Sequence, residues 1–296
     1  EARPWIRGDA HPRRAAVSAF GFGGSNFHVT LEEYAGPGAR AERLPTQSCD
    51  LVLAAANSAA ALLQRIDALL ADDAPLARIA HDSRVAFDGA PDARHRAAVV
   101  ATSRDTLQQR LGALRARIAA QPDQGFDLSD GSSYGTGTRA GEVAFLFPGQ
   151  GSQYLGMGAA IAMQFEAARQ AWDALADLDM DGDTRLHHVM FPRPAFDDAT
   201  RKLQQDRLTC TEWAQPAIGA HSAALLAQLR ALGIRADAHA GHSFGEVSAL
   251  HAAGACDLRT AIHTARRRGE LMRDAAASTQ GAMTALSLPA DAVQAL

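Results

Sequence analysis

"AGHSFGEVSALHAAG" fills residues 240–254, and near its centre Ser243 stands two residues from a glycine on either side. A G-x-S-x-G frame between a strand and a helix forms a nucleophile elbow, a sharp turn that presents the serine hydroxyl at the edge of a sheet. The context fits: "ADAHAG" before it reads as a strand and "FGEVSALHAAG" after it as a helix. That helix is expected to start at the serine, so its free N–H groups and positive dipole end face a developing oxyanion. The backbone N–H of Phe244 is the first candidate donor.

Upstream, "VAFLF" (143–147) is a continuous apolar run leading into "PGQGSQ", which reads as a buried strand feeding a loop. Gln150 of that loop is the candidate second oxyanion donor, through its backbone N–H. No G-K-[ST] follows, which argues against a phosphate loop, while a plain structural turn stays open. Helical stretches at 156–178 and 215–232 separate the two strands. Strand, helix, strand, helix implies an α/β fold: a parallel sheet flanked by helices, with reactive groups at the strands' carboxyl ends.

Downstream, Asp257 reads as the N-cap of a helix over "LRTAIHTARRRGELMRDAA". Of its three consecutive arginines, only Arg268 falls on the stripe Ala261, Ala265, Met272, which has the spacing of an inward face. Arg266 and Arg267 fall off it. An arginine on an apolar stripe either snorkels to the rim or is held for an anion, best a carboxylate. Spacing leaves both open.

A serine hydroxyl needs a neighbouring base. His242 precedes the serine and should point elsewhere, and His251 lies about 12 Å along the same helix. His263 sits on the next helix, and His187 and His188 in a loop. Each reads as a packing or solvated histidine, so the base is either missing from this stretch or supplied from beyond Leu296. "DLDMDGDTRLHH" begins like a calcium loop but has His188 where the bidentate glutamate belongs, so no metal site is expected.

A net charge of -4 leaves no surplus positive field for nucleic acid or an anionic bilayer. Three scattered cysteines without C-x-x-C spacing suit a reducing, cytoplasmic setting. Neither a membrane-length apolar run nor a signal-peptide pattern occurs. The chain opens without methionine and stops within an apolar-periodic run, as a piece of something larger would.

Near the start, "AVSAF" and "FHVTLEEY" read as two strands joined by the turn Gly21–Asn26, and residues 35–48 have linker composition. A small α/β unit follows: a strand at "DLVLAAA", a helix bearing Leu62, Leu63, Ile66 and Leu69, a strand at "RAAVVAT" and a helix over 105–120. Residues 121–141 read as a flexible joint.

In this order and spacing, "LFPGQGSQ", "TEWAQPA", "GHSFGE" and "RRRGELM" resemble the acyltransferase of an iterative polyketide or polyunsaturated-fatty-acid synthase. By that resemblance, residues 1–34 would be the tail of a ketosynthase, 35–141 the linker domain after it, and 142–281 the large acyltransferase subdomain. Residues 282–296 would open a ferredoxin-like small subdomain. The resemblance implies that Ser243 takes a malonyl-type acyl group from acyl-CoA and passes it to the phosphopantetheine thiol of an acyl carrier protein. Gln150 and Phe244 would donate to the oxyanion, Gln215 and His242 would line the pocket, and Arg268 would bind the extender's carboxylate. No bound cofactor is implied; the ketosynthase would be a second partner and the source of a dimer. A serine hydrolase and a non-catalytic docking fragment built on the linker domain are the competing readings.

Overall fold

The computed structural model describes residues 2–8, 11–34, 36–37, 49–137, 141–278 and 291. They divide into two compact units, one of Glu1–Leu44 with Glu142–Leu296, the other of Pro45–Gly141. The expected small-subdomain start at 282–296, residue 291 apart, and most of the 35–48 linker fall outside the described residues.

In the first unit, β1 (Arg14–Phe20) and β2 (Asn26–Glu32) form the expected antiparallel hairpin, in register from Arg14↔Glu32 to Phe20↔Asn26. Every residue of both strands is exposed, Val17, Phe20, Phe27 and Leu31 included, so the hairpin builds no core. Charge and one apolar anchor hold the segment in place. Ile6 enters the main core, and Arg13 pairs with both Glu33 and Asp173 at 2.8 Å, while Arg7 reaches Glu33 at 3.0 Å. Burial alone would raise the Glu33 carboxyl; hydrogen bonds from the Arg13 backbone and from both guanidiniums outweigh it and hold it at about 2.

A depressed carboxylate stabilises the fold fully above its unfolded value and loses that contribution as pH falls through the folded value. Glu33 should therefore surrender on the order of 2 kcal/mol between pH 4.5 and 2. Hydrogen exchange of residues 11–34 against pH is expected to show that loss of protection, and Arg13→Leu to remove most of the acid-sensitive arm.

The second unit holds β3 (Asp50–Ala56), α1 (Ala59–Ala71), α2 (Leu76–Asp88), β4 (His95–Ala101), α3 (Arg104–Ala120), β5 (Phe126–Asp127) and β6 (Ser133–Thr136). Its sheet runs β3-β4-β6-β5 and is antiparallel throughout. Ser58 and Ser103 cap α1 and α3 through their side chains, and Leu62, Ile66, Val99, Leu107 and Leu114 fill the core. Two expectations are corrected here. Helix α2 was not anticipated, although it buries Ile79, Ala80 and Ser83, with Ser83 at helical spacing from the other two. Residues 121–141 are not simply a joint: Tyr134 is buried, packs on Phe126 and hydrogen-bonds the Pro122 carbonyl, which draws β5 and β6 into the sheet.

The rest of the first unit runs β7 (Ala144–Phe147), α4 (Ala159–Gln164), α5 (Glu166–Asp173), α6 (Leu186–Met190), α7 (Asp198–Thr209), α8 (Thr211–Ala231), β8 (Ala238–Gly241), α9 (Gly245–Ala252) and α10 (Leu258–Ser278). Strands β7 and β8 pair in parallel from Ala144↔Ala238 to Phe147↔Gly241. The α/β architecture is thus as expected, with three local corrections. The helix expected over 156–178 is two, because Phe165 is extended and packs against the core. His187 and His188 lie on α6 rather than in a loop. Strand β7 is not buried: Phe147 packs with Leu226, Ala249 and Ala252, whereas Leu146 on the other face is 78% exposed. Apolar residues occupy both faces, and the described helices cover one.

Candidate active site

Hydrogen bonds fix the serine turn at the carboxyl ends of β7 and β8. The N–H of His242 donates to the Phe147 carbonyl at 3.0 Å, extending the ladder one residue past Gly241. The N–H groups of Gly245 and Glu246 then donate to the carbonyls of His242 and Ser243. Ser243 takes φ 54°, and it is the single non-glycine residue with positive φ among the described residues. A left-handed serine costs about 1–2 kcal/mol, a strain that the surrounding ladder and helix must hold.

The two frame glycines serve space rather than φ. A Cβ on Gly241 would run into the carbonyl carbon of Gly245, and one on Gly245 into the Phe147 carbonyl oxygen. Helix α9 therefore begins at Gly245, two residues later than expected, with Phe244 as its N-cap. Gly245→Ala is expected to cost on the order of 3 kcal/mol, read by urea unfolding, because backbone and not a flexible side chain would have to yield.

The "PGQG" loop comes up against this turn. A Cβ on Gly149 would sit 2.7 Å from the His242 carbonyl oxygen and 3.5 Å from the Ser243 Cβ. Ser243, His242 and Gln150 are exposed, whereas Phe244 is buried under α8 and α10, with Gly219 and Ile262 around its ring. Neither the Gln150 nor the Phe244 backbone N–H has an acceptor among the described residues. Stabilising an oxyanion requires free amide donors aimed at one point beside the hydroxyl.

Helices α8 and α10 carry the remaining candidates, and their crossing is set by a proline. Pro216 inside α8 has no N–H, so the Glu212 carbonyl loses its helical partner, and Arg266 Nη1 donates to it instead at 3.2 Å. Gly269 lets the helices meet there, since a Cβ would lie 2.5 Å from the Glu212 Cα. The expected stripe on α10 is accordingly corrected. The buried face is Ala261, Ile262, Ala265, Arg266 and Gly269; Met272 is 45% exposed, and Arg266 is buried instead of off the stripe.

The three arginines thereby separate by their partners. Arg266 lies 4.6 Å over the Trp213 ring and pairs with Glu270 at 2.8 Å, and exposed Arg267 pairs with the same carboxylate at 3.1 Å. Half-buried Arg268 has no carboxylate partner among the described residues. Its one hydrogen bond there is from Nη1 to Gln215 Oε1, at 2.8 Å. Gln215, fully buried, turns its Nε2 towards Gln150 Oε1 at 3.4 Å and Met272 Sδ at 3.3 Å. Gln150 Nε2 donates in turn to Thr211 at 3.1 Å. Gln150, Gln215 and Arg268, far apart in sequence, are thus joined side chain to side chain.

Among the described residues no histidine hydrogen-bonds the Ser243 side chain. His251 contacts the Cys256 carbonyl, His263 is exposed, and the His187 imidazole, depressed by burial and then by His188 to about 4, sits on α6. Sequence reasoning missed Arg266 and Glu270; Pro216, five residues into α8, was the available signal. No helix among the described residues is long and apolar enough to cross a membrane.

Known proteins match this chain in sequence and in fold. The profile of the family described as "Acyl transferase domain" matches residues 144–295. Polyketide synthase GfsA of Streptomyces halstedii is 34% identical over 301 residues, which cover 97% of this chain and 4% of that protein. The malonyl CoA-acyl carrier protein transacylase of Bacillus subtilis is 41% identical over 154 residues, covering 52% of this chain and 44% of the relative. The solved acyl transferase domain of ZmaA superposes with a TM-score of 0.63 at 25% identity, covering 77% of this chain and 50% of that one. The chain thus spans less than half the length of either relative. With the serine turn, Gln215 and Arg268 all inside the matched region, the chain belongs to the acyl transferase domain family.

Proposed function

We propose that this domain moves a malonyl-type acyl unit from acyl-CoA to the phosphopantetheine thiol of an acyl carrier protein, loading a polyketide or polyunsaturated-fatty-acid synthase. Ser243 Oγ attacks the thioester carbonyl, the C–S bond breaks, and CoA leaves as the thiol with the serine's proton. The carrier thiol then attacks the ester, and Ser243 regains its proton. The backbone N–H groups of Gln150 and Phe244 hold the oxyanion in both steps. Gln215 and His242 line the acyl pocket. A serine needs a base for this chemistry, and that base comes from outside the described residues. Acyl-CoA and the carrier are substrates, and no resident cofactor takes part.

The observation that carries the reading is the Arg268 guanidinium, half-buried and without a carboxylate partner among the described residues, tied through Gln215 to the loop beside Ser243. A cation facing the acyl group suits a carboxylated acyl chain and is wasted on an uncharged ester. The Bacillus subtilis relative, which its name describes as acting on malonyl-CoA and an acyl carrier protein, supports the same donor and acceptor. The exposed apolar hairpin β1–β2 suits a surface covered by a ketosynthase, through which the synthase would dimerise.

Discharge of the ester separates transfer from hydrolysis. After loading with labelled malonyl-CoA, the protein is expected to lose label to added phosphopantetheinylated carrier at least about a hundredfold faster than to water. Equal loss with and without carrier would make it a hydrolase.

A further inference from the structure

Arg268 and the serine turn sit on separate elements, and one side chain bridges the gap. Gln215 is fully buried on the 21-residue α8, a rigid base, and its amide orientation is forced. Arginine offers donors alone, so the carbonyl Oε1 must face Arg268 and the NH2 must face Gln150. Arg268 itself is half-buried, with a long flexible stem and this one hydrogen bond among the described residues. Arginine has five N–H groups, so the bond to Gln215 leaves enough for a carboxylate to dock two-pronged. Met272 Sδ and the Gln150 to Thr211 hydrogen bond brace the other end.

We infer that Gln215 is a positioning residue that sets the span between the guanidinium of Arg268 and the Gln150 loop, and so selects dicarboxylic acyl groups by length. The inference rests on the acyl-transfer reading. With Arg268 clamped, the span from the cation to the oxyanion donors is fixed, so dicarboxylic donors of different length would meet it unequally. Without the clamp the guanidinium swings, and the site ceases to measure.

The test is the rate of Ser243 acylation in the full-length protein with malonyl-, succinyl- and acetyl-CoA. Gln215→Met keeps the volume of the buried side chain and removes the acceptor. It is expected to cut the malonyl-to-succinyl rate ratio by about tenfold, each rate being read against the same variant's acetyl-CoA rate. Gln215→Glu is expected to neutralise Arg268 and to depress both dicarboxylic donors by about tenfold or more relative to acetyl-CoA. A Gln215→Met ratio within about twofold of wild type, or a parallel fall with all three donors, would overturn the inference while acyl transfer itself stood. A wild type that no donor acylates would instead overturn the acyl-transfer reading and this inference with it.

Discussion

Arg268→Ala is expected to slow labelling of Ser243 by malonyl-CoA about a hundredfold or more, and to leave labelling by acetyl-CoA unchanged or faster. The asymmetry follows from partners. Arg266 and Arg267 share the Glu270 carboxylate, whereas Arg268 carries a charge that no described carboxylate meets. Of the two acyl groups only the carboxylated one would engage the guanidinium, so its removal would withdraw binding from malonyl-CoA and not from acetyl-CoA. The neighbouring arginine should behave differently. Arg266→Ala strips the Trp213 ring, the Glu212 carbonyl and Glu270 of their shared cation, so it should lower stability and depress both donors in parallel. Steady-state labelling with each CoA ester, beside urea unfolding of each variant, distinguishes the two patterns.

Ser243→Ala should abolish esterification altogether, by a factor on the order of a thousand or more, since no other described hydroxyl shares the turn. Its folding should stay within about 0.5 kcal/mol of wild type. Alanine inherits the positive φ that the His242 and Gly245 hydrogen bonds enforce, and the exposed hydroxyl contributes no bond to the interior. Loss of label without loss of stability would assign the effect to chemistry. A variant that still accepts the acyl group would move the reaction to another residue.

How much of this could be read from the residues varied with how local the cause was. The serine turn was legible because G-x-S-x-G between strand and helix is a short-range pattern, and the Asp257 cap was legible for the same reason: its carboxylate accepts from the Thr260 N–H at 2.7 Å. The reason for Gly245 was not, because steric contact with Phe147 exists only once β7 lies beside β8. The α10 face was misread at Arg266. Apolar periodicity treats arginine as outward, yet here a helix proline frees a carbonyl that a buried guanidinium must satisfy. Strand β7 was misread as buried since sequence shows apolar residues on both faces and cannot show which face is covered. The bonds linking Gln150, Gln215 and Arg268 join residues from a loop and two helices, and no spacing rule reaches across those distances.

Peptide mapping by mass spectrometry, after the protein meets malonyl-CoA and acetyl-CoA at equal concentration, addresses the whole account at once. A malonyl ester on Ser243, well in excess of any acetyl ester, is the result that an arginine-guided serine acyltransferase requires. Acyl groups on a different residue, or the two esters in equal amounts on Ser243, would contradict it.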